Sequence, residues 1–321
     1  MNNLIKFFVV TLGGLSLLSQ VAIADYHSLE NMKKGDVIPV TLKQLKPTQA
    51  SVGYDQIYYK LGRYQFDTEK LFDEMCENNG QKAISKFSRS SNPADMSSYQ
   101  CTDEIGANPS DMKTVVIGPD NALYLTDGHH TFNVLWHMEN GGPDFKVHVV
   151  VADDYRHLSD MEAFWSQMKD DNNLLLLDDK FQPIEHSQLP TSLGLDNFYN
   201  NPYRALMYYT RKIAWEKPKP AFNYVEFYWG KEIFDKIDLS KYDLNSLDGY
   251  KKAVEDTAQV ILSVNTNNVG GTMRSAERLG RFKGFDKGEF DKLFRRNQKI
   301  DYMLRYKKQL NQQGIEHRKA S

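Results

Sequence analysis

The chain has 321 residues, 40% of them hydrophobic and 12% aromatic, with a formal net charge of −2. That length and apolar content supply a packed core for one large domain or two small ones, and they exclude a disordered or low-complexity chain. The near-neutral balance hides an asymmetry, because 14 Lys and Arg face 6 Asp and Glu from Arg274 to Ser321.

The first 24 residues read as a secretory signal. Lys6 is the positive start, Phe7 to Leu18 the apolar run, and Ala22-Ile23-Ala24 the small-residue site before Asp25. The run is shorter than the roughly 20 residues a spanning helix needs, and no later segment reaches that length. The mature chain is therefore expected to be periplasmic or secreted, with no membrane span. Cys76 and Cys101 fit an oxidising compartment and are expected to form one disulfide closing a loop of about 25 residues.

From residue 36 to about 152 the pattern is α/β. Val37 to Val40 is a short strand, and Gln56 to Tyr64 and Thr68 to Asn79 are helices. Lys86 to Ser110 is a long polar loop, tied down by Cys101. Val115 to Ile117 and Leu123 to Leu125 flank the turn chemistry of Gly118-Pro119-Asp120-Asn121 and read as a hairpin. Phe132 to Glu139 is a helix ended by Gly141-Gly142-Pro143, and Phe145 to Ala152 an apolar strand of the buried kind.

The remainder is mostly helical. Helices are expected at Met161 to Lys169, Tyr203 to Ile213, Phe222 to Phe234, Ser246 to Val264 and Gly284 to Leu310, with Asn201-Pro202 as the N-cap and first position of the second of these. The basic residues beyond Arg274 alternate with acids and with Phe285, Phe290, Tyr302 and Tyr306, the pattern of a solvated helix face backing a core. Asn311 to Ser321 reads as a frayed tail.

Between the hairpin and the following helix lies Thr126-Asp127-Gly128-His129-His130-Thr131, the stretch richest in chemistry. The first N–H groups of a helix lack intrahelical partners and carry the positive end of its dipole, a ready anion site. Gly128 allows close backbone approach, the imidazoles supply donors or a proton, and Thr131 caps the helix or contacts an oxygen. The same turn also reads as a helix start whose histidines merely cap and pack.

This turn, with Leu45-Lys46-Pro47-Thr48-Gln49, Val52 to Gln56 and Lys60, and more loosely Asn201 to Arg204 and Glu226 to Trp229, resembles the ParB/sulfiredoxin superfamily. It looks closest to the ParB-like nuclease branch. The resemblance implies an α+β fold, with a ParB/sulfiredoxin-like α/β domain over residues 25–154 and a helical region over 155–310 packed on it. It also implies phosphate at the turn. Thr131 departs from the pattern, since ParB proteins and sulfiredoxins tend to have Arg there, and the turn lacks the sulfiredoxin cysteine.

On that resemblance His129, His130 and Asp127 are the candidate catalytic residues, the histidines as phosphate ligands with one of them a general acid or base. Gly128, Thr131, Gln49, Lys60 and Arg204 are candidate ligand-binding residues. Asp127 and Glu226 are candidates for a divalent cation, Mg or Mn, although Arg204 and Glu226 also read as an ion pair and Asp127 as a turn residue. Structural zinc is not expected, since no H-x-x-x-H, H-E-x-x-H or Cys cluster is present. His137 reads as helix surface. The functional expectation is an exported phosphodiester hydrolase acting on nucleic acid or another phosphate-bearing ligand. Its rival is a non-catalytic module binding an anionic ligand or a protein partner through the same turn.

Overall fold

The β-branched runs build the sheet. In the computed structural model, which describes residues 31–317, the first strands are β1 (Val37–Thr41), β2 (Leu45–Lys46) and β3 (Ser51–Val52). Helices α1 (Tyr54–Phe66) and α2 (Thr68–Asn78) follow, then β4 (Ile84–Lys86) and β5 (Gln100–Cys101). Next come the hairpin β6 (Lys113–Ile117) and β7 (Leu123–Leu125), helix α3 (His129–His137), β8 (Lys146–Asp154) and α4 (Met161–Asp170). Residues 1–24, expected to be a signal peptide, lie outside the described residues.

Five strands form a mixed sheet in the order β1, β8, β6, β7, β2. β8 lies antiparallel to β1, with Val37 opposite Val150, and parallel to β6, with Lys113 opposite Val149. The hairpin pairs Val115 with Leu125, and β2 runs parallel to β7, with Leu45 opposite Leu123. Val115, Val116, Ile117 and Leu125 are wholly buried at its centre. β8 alternates buried and half-buried positions over most of its length instead of being buried throughout, the pattern of a strand with one face on the core.

A short strand β9 (Tyr199–Asn200) pairs parallel with β3 and delivers the chain to α5 (Pro202–Thr210). The Asn201 carboxamide accepts the Arg204 N–H and Pro202 takes the first turn, as the sequence predicts. Helices α6 (Val225–Ile233), α7 (Leu247–Ser263), α8 (Lys287–Leu293) and α9 (Lys299–Gln313) complete the fold. The most extensive helix packing joins α1 to α9. Gly62 permits it, since a Cβ there would lie 2.3 Å from the Tyr302 carbonyl oxygen.

Three expectations need correcting. The helix predicted over 284–310 is two, because Asn297 turns into the left-handed region (φ 58). Asp301 accepts the Asn297 N–H and Arg305 donates to its side-chain oxygen, fixing the break. α5 stops at Thr210, before Lys212 turns left-handed (φ 70). The tail predicted to fray from Asn311 stays helical to Gln313, and His317 packs its ring 4.7 Å from that of His137. Cys76 and Cys101 are bonded, joining α2 to β5. No helix among the described residues is long and apolar enough to cross a membrane.

Candidate functional site

Gly128 starts α3 in a left-handed conformation (φ 109), and no side chain caps the helix. A Cβ at this position would meet Lys113 Cγ at 2.7 Å, so glycine is required on two counts. His129, His130 and Thr131 thus occupy the first turn, three residues earlier than the helix predicted from Phe132. They form the floor of a cleft of ≈ 600 Å³.

The two imidazoles do something the sequence does not announce. His129 Nε2 accepts the Thr48 backbone N–H at 3.0 Å, and His130 Nε2 accepts the Gly53 N–H at 3.0 Å. Both rings therefore staple α3 to the Pro47–Gly53 segment, whose N–H groups need partners once buried. An accepting Nε2 leaves the ring proton on Nδ1, so each neutral imidazole has one N–H donor and keeps no free lone pair. Burial holds the His129 imidazole down at about 3, the Asp127 carboxylate opposing weakly. Burial, with Arg204 adding to it, likewise holds His130 well below its ordinary value. A general-base role for either histidine would require breaking its staple. His137, expected on the helix surface, is part-buried and accepts the Leu195 N–H at 2.9 Å.

Facing this floor is a cationic wall. Arg204, from α5, donates to Gln56 Oε1 at 2.7 Å and lies 3.8 Å from Glu226 of α6. Arg211 and Lys217 also pair with Glu226. Burial pushes the Glu226 carboxyl up, but Arg204, Lys217 and Arg211 together more than reverse that, so it stays ionised. The Nε atoms of Arg204 and Arg211 are buried with no hydrogen-bond partner. With Lys60 and Lys113, five cations line the cleft against the carboxylates of Glu77, Asp127 and Glu226.

Lys60 lies where α1 meets the cleft rim, its ammonium 2.6 Å from Glu74, which also takes Arg63 and the Tyr64 hydroxyl. It is not the free surface lysine its helix position suggests. Burial lowers its pKa to about 7, and Arg63 pushes the same way. Gln49 lines the cleft too, its amide donating to the Ser51 carbonyl at 2.7 Å.

All eight candidate residues of the turn and its neighbours, from Gln49 to Arg204, therefore border one cleft. The arrangement does not suit a divalent cation. Asp127 is exposed and 3.6 Å from Lys113, and Glu226 already carries three cations. No group of three metal-ligating side chains converges among the described residues. Sequence reasoning missed Arg211, Lys217, Lys113 and Tyr208. Arg204, Tyr208 and Arg211 are spaced i, i+4, i+7, one face of α5 and its extension, and that spacing was the available signal.

A family model described as "Putative ParB-like nuclease" matches residues 38–234. The chain belongs to this family. The match runs from β1 through α6 and contains every cleft residue named above, leaving α7, α8 and α9 beyond it. The fold is also similar to the crystal structure of protein Atu1540 from Agrobacterium tumefaciens, with a TM-score of 0.50 and 18% identity over 78% of this chain and 100% of that one. No curated protein matches the sequence.

Proposed function

We propose that the cleft at the start of α3 binds a phosphate group, and that the protein is an exported phosphodiester hydrolase of the ParB-like nuclease family. The observation that carries the reading is the excess of cations over carboxylates around an uncapped helix start, with two arginine Nε groups left unpartnered. Such donors match phosphate oxygens, and a buried setting strengthens each contact. Family membership supports the phosphodiester. The Ala-x-Ala pattern and the Cys76–Cys101 bond support export.

In this reading the histidine Nδ1–H groups and Arg204 hold the phosphate, and Arg211 and Lys217 balance its charge. Lys60, on the cleft rim, is the group suited to move a proton to the leaving oxygen once the ligand draws it from Glu74. The test is incubation of mature protein with plasmid, RNA and a chromogenic phosphodiester, with Mg²⁺, Mn²⁺ or chelator. Chelator-resistant turnover lost in Lys60→Met and retained in Asp127→Asn is expected. Absence of turnover on every substrate would overturn the hydrolase.

The rival is a non-catalytic module, and one observation favours it: both imidazole lone pairs and the Glu226 carboxylate already have partners. A module would bind phosphate by calorimetry while turning over nothing.

A further inference from the structure

The cleft does not end at Arg211. Beyond Tyr208 and Arg211, which line both spaces, a second groove of ≈ 220 Å³ runs on between the end of α5, α8 and the start of α9, bordered by Lys212, Lys292, Gln298 and Lys299, with Glu289 the one carboxylate in its lining. Four basic side chains of the C-terminal region are matched locally. Arg281 pairs with Glu277, Lys287 with Asp291, Lys292 with Glu289 and Arg305 with Asp301. Lys299 and Lys212 have no ion pair among the described residues. Lys299 instead lies 4.4 Å over the Tyr208 ring, and Arg211 lies 5.2 Å from the same ring. One aromatic side chain thus holds two cations on the boundary between cleft and groove. Burial lowers the Lys299 ammonium to about 8, with Arg211, Lys60 and Lys212 acting in the same direction, the mark of a positive cluster short of counter-charge. α9 also begins here with no side-chain cap.

We propose that this groove is a second phosphate subsite, and that the ligand of the cleft is a single-stranded nucleic acid whose neighbouring phosphate rests on Lys299, Lys212 and Arg211. The proposal rests on the phosphate reading of the cleft and goes beyond it, because Gln298 and Lys299 lie outside the segment matched by the family. Two cationic recesses sharing a wall fit a repeating anion better than a lone phosphate. The cleft floor is buried, so the backbone must bend inward to reach it, which a flexible strand does and a stiff duplex does not. The contacts are to charge and carry no base information, so binding is sequence-tolerant and salt-dependent.

The test is fluorescence anisotropy of the mature protein with labelled oligothymidylates of increasing length, alongside inorganic phosphate measured by calorimetry. Affinity should rise steeply from mononucleotide to short oligomer. Lys299→Met should weaken oligomer binding about tenfold, the scale of one charge-assisted contact, and flatten the salt slope by about 0.7, leaving inorganic phosphate binding in the cleft unchanged. Lys299→Arg should retain oligomer binding, and Tyr208→Leu, which frees the two cations, should weaken it as Lys299→Met does. If oligomers bind no better than a mononucleotide, if duplex binds as tightly as single strand, or if Lys299→Met alters nothing, the groove is not a subsite. If wild-type protein binds neither inorganic phosphate nor any oligomer, the reading of the cleft itself falls.

Discussion

A histidine that accepts a buried backbone N–H is a structural fastener as well as a wall of the cleft, and its removal has two effects. His129→Ala leaves the Thr48 N–H without a partner in a dry place, at a cost of about 1–3 kcal/mol. His130→Ala does the same to Gly53. Urea denaturation should show both losses, in contrast to the near-neutral change expected of an exposed turn. The sign of the pH dependence follows from the same bonds. The folded-state pKa of His129, about 3, lies below the unfolded value near 6.5, so the unfolded chain binds the proton first. The contribution of His129 is complete above about pH 6.5. It falls by up to about 1.4 kcal/mol per pH unit as the solution is acidified toward the folded value. His129→Gln, which keeps an acceptor and does not titrate, should flatten that decline between pH 6 and pH 4 in urea midpoints, within the window set by those two values. The Asp-Gly-His-His stretch was legible as a helix start, since its residue types imply it. The staples were not, because the partners Thr48 and Gly53 are 81 and 77 residues away and their backbone N–H groups leave no trace in residue identity.

Among the elements, α5 and α6 are held face to face by Glu226 and its three cations. Glu226→Gln leaves Arg204 buried without its counter-charge, a change of about 3–5 kcal/mol. Phosphate should restore part of the lost melting temperature, and restore more than it adds to wild type, because the anion takes the place of the carboxylate. Equal stabilisation of both proteins would mean that the phosphate lies elsewhere. The disulfide belongs to this scale also. Cys76 and Cys101 are 25 residues apart, and reduction should cost about 3–4 kcal/mol on the chain-entropy account, measurable as a fall in the urea midpoint. Periodicity and turn residues located α1, α2, the hairpin, α4 and α7 to within a few residues. They failed between Gly284 and Leu310, where an apolar stripe continues across a break that depends on Asn297 and its partners Asp301 and Arg305. Long-range pairings such as β3 with β9 were beyond reach, since two-residue strands carry no period.

At the scale of the whole molecule, the site is divided between distant parts of the chain. α1 supplies Gln56 and Lys60, the hairpin and α3 the floor, α5 and the segment after it the cationic wall, α6 its Glu226 counter-charge, and the start of α9 part of the adjoining groove. Gly62→Ala tests how firmly these parts are joined. Its Cβ must displace the Tyr302 carbonyl and push α9 from α1, and overpacking of this kind costs about 1–3 kcal/mol. Thermal melting should record the loss.

The partnership of α1 with α9 also dictates an order of events. The main neighbour of α1 lies more than two hundred residues along the chain from it. Contacts of such sequence separation form late, after the loop-closure entropy has been met. A refolding chain therefore assembles its sheet before α9 closes over α1, and the wall that α1 lends the cleft is set last. The site is able to hold its ligand only after that closure.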